Sequence, residues 1–148
     1  MNPYRIKITG RTKHFINVFG EELVIENAEK ALSLTSELTK SSISDYTVGP
    51  VFMGSKTKGS HEWLIEFDKH PDDLNKFMEI LDLNLQSLNS DYEAKRYKSS
   101  TLELPKLVVA RKNLFYDWLS SKNKLGGQNK IPRLSNSREF IEELISMN

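Results

Sequence analysis

The chain has 148 residues, of which 38% are hydrophobic and 28% charged, and this composition is ordinary for one globular domain. Its 21 lysines and arginines are nearly matched by 20 acids, which disfavours a surface that binds nucleic acid through many phosphates. The absence of cysteine excludes disulfides, thiolate metal sites and a cysteine nucleophile.

The apolar runs are short, as in Leu107–Ala110, and far below the length of a membrane span. The N-terminal residues Met1–Arg5 contain no apolar signal-peptide core. We therefore expect a cytoplasmic protein that makes no membrane contact.

The first predicted elements form a β-hairpin. Alternating apolar residues predict a strand over Tyr4–Thr9 and a more buried strand over Phe15–Phe19, with the cationic turn Gly10–Lys13 between them. From Val24 to about Leu38 the apolar residues recur with a helical period, which predicts a helix directly after the hairpin.

The middle of the chain alternates strands with a helix. Tyr46–Met53 is typical of a strand that Gly49-Pro50 must bend or break, and Gly54–Ser60 is typical of a flexible polar loop. His61–Phe67 alternates clearly and predicts a strand. Pro71 at the first helical position, followed by two acids, predicts the start of a helix. Its apolar stripe is Leu74, Phe77, Met78, Leu81, Leu85 and Leu88.

Four more elements follow. Ser90–Glu93 has the spacing of a capping box and predicts a short helix, and Leu104–Ala110 predicts a strand. Asn113 is a candidate cap for another helix, and Arg138–Ser146 predicts the last one. Together the elements predict the α/β (α+β) class: a single-domain sandwich in which helices pack against a mostly antiparallel sheet, opening with a β-hairpin.

Three motifs, in this order, resemble one known family. The first is ITGRTKHFINVFGEELVIENAEKAL, which is similar to the segment that opens the C-terminal domain in the adenylate-forming superfamily of acyl-CoA synthetases, non-ribosomal peptide adenylation domains and luciferases. The others are NSDYEAKR at Asn89–Arg96 and Gln-x-Lys-x-Pro-Arg at Gln128–Arg133. Together they resemble the C-terminal domain of the auxin-responsive Gretchen Hagen family of acyl-acid amido synthetases, over essentially the whole chain.

The resemblance implies a two-step ligase reaction. A carboxylic acid and MgATP give an acyl-adenylate and pyrophosphate, and an amine such as an amino acid then displaces AMP. ATP, Mg²⁺ and the acid pocket belong to a large N-terminal domain that these 148 residues do not contain. We therefore expect that domain to be the partner of this chain, and the chain alone to bind no cofactor and to be inactive.

Lys130 is the candidate catalytic residue. It lies in GGQNKIPRL, where two glycines let the backbone approach a ligand and Pro132 stiffens the segment after the lysine. An ammonium there suits the neutralisation of charge as a carboxylate attacks an α-phosphate. The resemblance places the family's catalytic lysine at Lys130, whereas sequence physics alone also allows a solvated loop residue.

The cationic turn of the first hairpin supplies the other candidates. By the resemblance, Gly10 matches the superfamily hinge, and glycine tolerates large changes of φ and ψ, although a plain turn glycine fits equally. Arg11 and Lys13 follow this hinge. They are candidate phosphate ligands, or contacts to the N-terminal domain, or solvated turn residues.

Further matched positions are interpreted more weakly. By the resemblance, Gly20 and Glu29 correspond to a glycine and a helix glutamate of the superfamily, and we interpret both as structural. Asn17 stands where many CoA-using relatives have lysine, which favours an amine acceptor over CoA unless Asn17 simply faces the core. The histidines at positions 14, 61 and 70 are too scattered to predict a metal site.

A different class of function remains open at this point. A small α/β sandwich with scattered charges and near-zero net charge is also compatible with a non-catalytic binding or regulatory module. Such a module would recognise a partner through its sheet face or an edge strand.

Overall fold

The structure, a computed structural model, describes residues 15–97, 101–122 and 131–148. An antiparallel hairpin comes first, in which β1 (Phe15–Ile16) pairs with β2 (Leu23–Val24). An opening hairpin is therefore confirmed, but β1 is shorter than predicted and its partner follows it in the chain. The predicted strand Tyr4–Thr9 lies outside the described residues.

A three-stranded sheet forms the centre of the described fold. β3 (Ser42–Met53) pairs antiparallel with β4 (Ser55–Lys69), and β5 (Lys106–Val109) pairs parallel with β4, in the order β3-β4-β5. Most of the pairing is antiparallel, as predicted. The connection from β4 to β5 contains α2 (Leu74–Leu88) and α3 (Ser90–Arg96), which is the type of crossover that parallel strands need.

Helices cover both faces of this sheet. α1 (Ile25–Thr39) and α2 supply buried residues to the core that contains Trp63 and Ile65 of β4. α4 (Leu114–Ser121) and α5 (Glu139–Met147) supply a second core that contains Leu64 of the same strand. Because successive strand residues point to opposite faces, β4 contributes to both cores.

The helix α2 confirms the predicted stripe except at Leu74, which is 37% exposed, and its start differs from the prediction. Asp73 is the N-cap residue and accepts a hydrogen bond from the Lys76 amide at 3.1 Å, so Pro71 precedes the helix. The next helix, α3, is present as predicted, but the capping box at Ser90–Glu93 is wrong, because Asn89 is the cap and accepts the Tyr92 amide at 2.8 Å. None of the helices in the described ranges combines the length and apolarity needed to span a bilayer. The buried apolar residues of α2 are Phe77, Met78, Leu81 and Leu85.

The predicted polar loop over Gly54–Ser60 is wrong. The turn is at Gly54, where φ is 77°, and β4 begins at the next residue. Along this segment Gly59 pairs with Phe52, and Ser60 pairs with Val51. Pairing with a long neighbouring strand therefore overrides the polar, glycine-containing local sequence.

The predicted bend or break at Gly49-Pro50 is also wrong, because β3 continues through both residues. The amide of Val48 points away from β4 and donates to the carbonyl oxygen of Arg133 at 2.8 Å. Residues two apart in a strand direct their amides to the same side. The N–H that Pro50 lacks would therefore point away from β4. Its absence removes no hydrogen bond between β3 and β4.

Candidate functional site

The predicted site residues Gly10, Arg11, Lys13 and Lys130 all lie outside the described residues. The structure does describe the segments that follow them, from Phe15 and from Ile131 onwards. Together with NSDYEAKR, these segments contain the described part of the three family-like motifs.

The turn of the hairpin, which belongs to the first motif, is closed by polar contacts. Gly20 has a φ of 82° and its amide donates to the Asn17 carbonyl oxygen at 3.1 Å. The side-chain Oδ1 of Asn17 accepts a hydrogen bond from the Glu22 amide at 3.0 Å. Asn17 is exposed, so the alternative that it faces the core is wrong. Its side chain stabilises the turn.

A buried acid–histidine pair fastens this turn to the sheet. Glu21 Oε2 lies 2.5 Å from His61 Nε2, and both side chains are almost completely buried. Glu21 Oε1 also accepts the Phe19 amide at 2.8 Å. Among the described residues His61 Nδ1 has no hydrogen-bond partner, which fits a proton on Nε2 that is donated to the Glu21 carboxylate. Nothing in the sequence indicated this pair, since its members are far apart in the chain.

The second motif, NSDYEAKR, continues the buried polar network. The ring of Tyr92 lies 5.9 Å from that of His61, and the Tyr92 hydroxyl donates to Asp82 Oδ1 at 2.6 Å. Arg96 donates from Nε and Nη2 to the two oxygens of Asp82, each at 2.8 Å. Burial and the neighbouring Asp82 carboxylate raise the pKa of Tyr92, so this phenol stays protonated as a donor.

The first two motifs also contact each other directly. The Asn89 side chain donates to the Glu22 carbonyl oxygen at 3.0 Å. A Cβ placed on Gly20 would lie 3.1 Å from Lys95 Cε, so the lysine side chain covers the turn. The hairpin turn and α3 therefore form one packed unit.

The end of the third motif forms an additional edge beside β3. Val48 bridges to Leu134 in parallel, and the Ser135 amide donates to the Val48 carbonyl oxygen at 3.2 Å. The Thr47 hydroxyl donates to the Pro132 carbonyl oxygen at 2.7 Å. The edge segment, residues 131–135, is therefore held by hydrogen bonds along its length.

Arg133 lies at the centre of this edge segment. Its Nη1 donates to the Asp45 carboxylate and, at 3.2 Å, to the Tyr46 carbonyl oxygen, while the guanidinium carbon lies 5.0 Å from the centre of the Tyr46 ring. The Tyr46 hydroxyl in turn donates to Glu29. Burial lowers the pKa of Arg133, and burial together with Glu29 raises that of Tyr46. An open groove of about 420 Å³, lined partly by serines, lies beside this group.

The helix glutamate of the first motif thus takes part in a contact between motifs. Glu29 is exposed, as expected for a surface position on an amphipathic helix. Its carboxylate nevertheless accepts a hydrogen bond from the hydroxyl of Tyr46, the residue on whose ring Arg133 stacks. Asn136 adds a second link, because its Oδ1 accepts the Asn17 amide at 2.8 Å. Both links join the region after Lys130 to the region after Gly10.

The histidines that the structure describes do not form a metal site. His61 binds Glu21, and His70 is exposed with its ring 5.3 Å from that of Phe67. In the described part of the chain, no three His, Cys, Asp or Glu side chains are grouped closely enough to hold a metal ion. The third histidine, His14, lies outside it.

Known proteins show similarity in both sequence and fold. The GH3 family C-terminal domain matches residues 26–139 of the chain. Among solved structures, AtGH3.15 acyl acid amido synthetase in complex with 2,4-DB gives a TM-score of 0.69 at 15% identity, over 90% of this chain and 25% of that one. Another, GH3.15 acyl acid amido synthetase, gives 0.68 at 16% identity, over 90% and 24%. No curated protein sequence matches the chain.

The structural matches and the sequence match support different conclusions. At these identities the solved structures show that the fold is shared, and this chain spans about a quarter of their length. The sequence match to the family domain extends over well more than half of the chain and includes nearly all of α1, the whole three-stranded sheet and the edge segment. It confirms the resemblance to the family. The chain belongs to the GH3 family, as its C-terminal domain.

Proposed function

We propose that the chain is the mobile, lysine-donating C-terminal domain of an ATP-dependent acyl-acid amido synthetase. The whole protein would adenylate a carboxylic acid and transfer the acyl group to an amine such as an amino acid. Membership of the GH3 family is the observation that carries this proposal, and both similar structures are named as acyl acid amido synthetases. The alternative of a non-catalytic binding module has no comparable support. A cytoplasmic location stays a prediction.

The arginines that the structure describes bear on which residues of this chain would contact ATP. Each arginine in the described residues already contacts a carboxylate. These pairs are Arg96 with Asp82, Arg111 with Asp117, Arg133 with Asp45, and Arg138 with Glu62 and Glu142. A guanidinium held in this way is poorly suited to take up the phosphates of ATP as well. By the family resemblance we assign phosphate contacts from this chain to Lys130, Arg11 and Lys13, and the engagement of the described arginines is consistent with this assignment.

The proposed N-terminal domain would bind MgATP and the acid. Mg²⁺ is usually held by one or two carboxylates together with substrate phosphates. By the family resemblance, this ion would accompany ATP in the other domain. Lys130 would enter that site and stabilise the charge that develops between carboxylate and phosphate.

Pyrophosphate exchange tests this proposal. We expect the complete protein to exchange pyrophosphate into ATP with at least one acid from a panel of carboxylic acids, and to form an amide when amino acids are added. The isolated 148-residue chain should show no exchange with any acid, because a lysine donor without a nucleotide site cannot position the reacting atoms. Robust exchange by the isolated chain would contradict the proposed division between two domains.

The proposed hinge can be tested separately. Gly10→Pro in the complete protein fixes φ near −65° and removes an N–H, which disfavours one of two domain orientations. A bias of about 1.4 kcal/mol against the orientation for transfer would lower amide formation about tenfold while most pyrophosphate exchange is retained. The two half-reactions are assayed independently. Equal loss of both would show that Gly10 is only a turn residue.

A further inference from the structure

We propose that Arg133 is a positioning residue for adenylation, acting through the edge segment that leads back to Lys130. Its contacts with Asp45 and Tyr46 help to hold residues 131–135 against β3, and Ile131 is the residue to which Lys130 is bonded. The inference rests on the proposed function and extends it to a residue that the sequence alone did not single out.

The backbone of the edge segment is attached to β3 on either side of the arginine side chain. The carbonyl oxygens of Pro132 and Arg133 accept from Thr47 and Val48, and the Ser135 amide donates back to Val48. Consecutive Cα atoms are about 3.8 Å apart, so a fixed residue 131 restricts the residue bonded to it. An anchored edge segment therefore reduces the conformations available at its N-terminal end.

The apolar side chains of the segment are anchored in two different cores. Ile131 is 5% exposed and packs with the cluster of α4 and α5, whereas Leu134 is fully buried in the cluster of α1 and α2. The segment thus contributes one side chain to the core on each face of the sheet. Sliding it along β3 would remove both side chains from their sites.

Arg133 adds a side-chain contact to this anchored segment at the exposed rim of the groove. Its side chain is 33% exposed and that of Asp45 is 26% exposed, so the ion pair lies in partial contact with solvent. Such pairs add little to stability, but a planar guanidinium that also stacks on a ring has a narrow choice of orientations. We therefore expect it to affect the geometry of the segment more than the stability of the fold.

The main competing interpretation is that Arg133 itself binds a phosphate. Its guanidinium is already engaged by Asp45, the Tyr46 carbonyl oxygen and the Tyr46 ring. Direct binding would require these contacts to break. A double-mutant cycle separates the two interpretations, because a residue that acts only through Lys130 has no effect once Lys130 is gone.

The experiment measures both half-reactions in the complete protein with Arg133→Ala, Lys130→Ala and the double variant. A small displacement of a catalytic group can cost up to 10²-fold, so Arg133→Ala should slow acyl-adenylate formation about 10- to 10²-fold. Amide formation from preformed acyl-adenylate should stay within about twofold of the wild type, since that step does not use Lys130. In the Lys130→Ala background, Arg133→Ala should have no further effect.

A second test variant and a control variant allow the positioning role to be tested even if Arg133→Ala does not fold. Asp45→Asn keeps the shape of the partner while removing its charge, and it should slow the same half-reaction in a folded protein. Arg138→Ala is the matched control, because Arg138 binds Glu62 at 2.9 Å and the Pro50 carbonyl oxygen at 3.1 Å, neither of which belongs to the edge segment. It should slow neither half-reaction selectively.

The outcomes separate this inference from the proposed function. If Lys130→Ala slows adenylation while Arg133→Ala and Asp45→Asn do not, the positioning role is wrong and the proposed function stands. Additive losses in the double variant would overturn the positioning role in favour of direct phosphate binding. If Lys130→Ala has no effect, the proposed function fails, and this inference fails with it.

Discussion

Replacing Lys130 by alanine in the complete protein is expected to lower acyl-adenylate formation by about 10²–10³-fold, or roughly 2.7–4 kcal/mol. The ammonium would meet the carboxylate and the phosphate only in the adenylation orientation, where charge develops between them. Its removal should therefore affect the first half-reaction selectively. Single-turnover formation of the acyl-adenylate measures this effect, and amide formation from preformed acyl-adenylate should be largely retained.

A matched control is Lys122→Ala. Lys122 is a half-exposed lysine whose ammonium binds Glu143 at 2.6 Å, and it precedes the same motif. Its replacement should change neither half-reaction. The free energy of unfolding should change by less than about 0.5 kcal/mol for Lys130→Ala if Lys130 is exposed on a loop. Unchanged adenylation, or an unfolded variant, would remove Lys130 from the catalytic role.

Replacing Asp82 by alanine is expected to have the largest effect on stability. Asp82 is 3% exposed and accepts hydrogen bonds from Tyr92 at 2.6 Å and from two nitrogens of Arg96. Removing one partner of a buried ion pair leaves the other charge without compensation and typically costs about 3–5 kcal/mol. Urea unfolding followed by circular dichroism should show a loss of this size.

Asp117→Ala is the control for this experiment. Asp117 also binds an arginine, Arg111, at 2.9 Å, but their side chains are 45% and 43% exposed. An exposed pair contributes about 0–1 kcal/mol, because water screens the charges. If Asp82→Ala cost no more than Asp117→Ala, the network of Tyr92 and Arg96 would not hold α3 against α2.

The periodic elements could be predicted because their pattern reflects burial directly. In β4 the alternation around Trp63 and Ile65 places these residues in the core of α1 and α2, and the stripe of α2 packs there as well. The predicted start of α2 at Pro71 is wrong by a few residues. Both Pro71 and Asp73 are typical of a helix start, and only the hydrogen bond from the Lys76 amide identifies Asp73 as the cap. Such boundaries depend on one local contact rather than on a pattern.

The candidate site could be predicted only in part. The motifs that resemble the GH3 family were found in the sequence, but their mutual contacts were not, because each joins residues from distant parts of the chain. Arg133 is an example, since nothing in Lys-x-Pro-Arg indicates that the arginine binds Asp45 and stacks on Tyr46. The roles of Gly10, Arg11, Lys13 and Lys130 stay predictions.

The class of the fold and the family could be predicted from the sequence, because hydrophobic periodicity and ordered motifs are properties of short segments. The continuation of strands and the meeting of polar groups depend on contacts between distant segments. Ser55–Ser60 is a strand because β3 pairs with it, and Pro50 fits into β3 because its missing N–H faces away from β4. Glu21 and His61 form a buried pair because the hairpin turn packs on the sheet. Backbone pairing and burial of charge are both set by neighbours that are remote in sequence, so no local pattern encodes them.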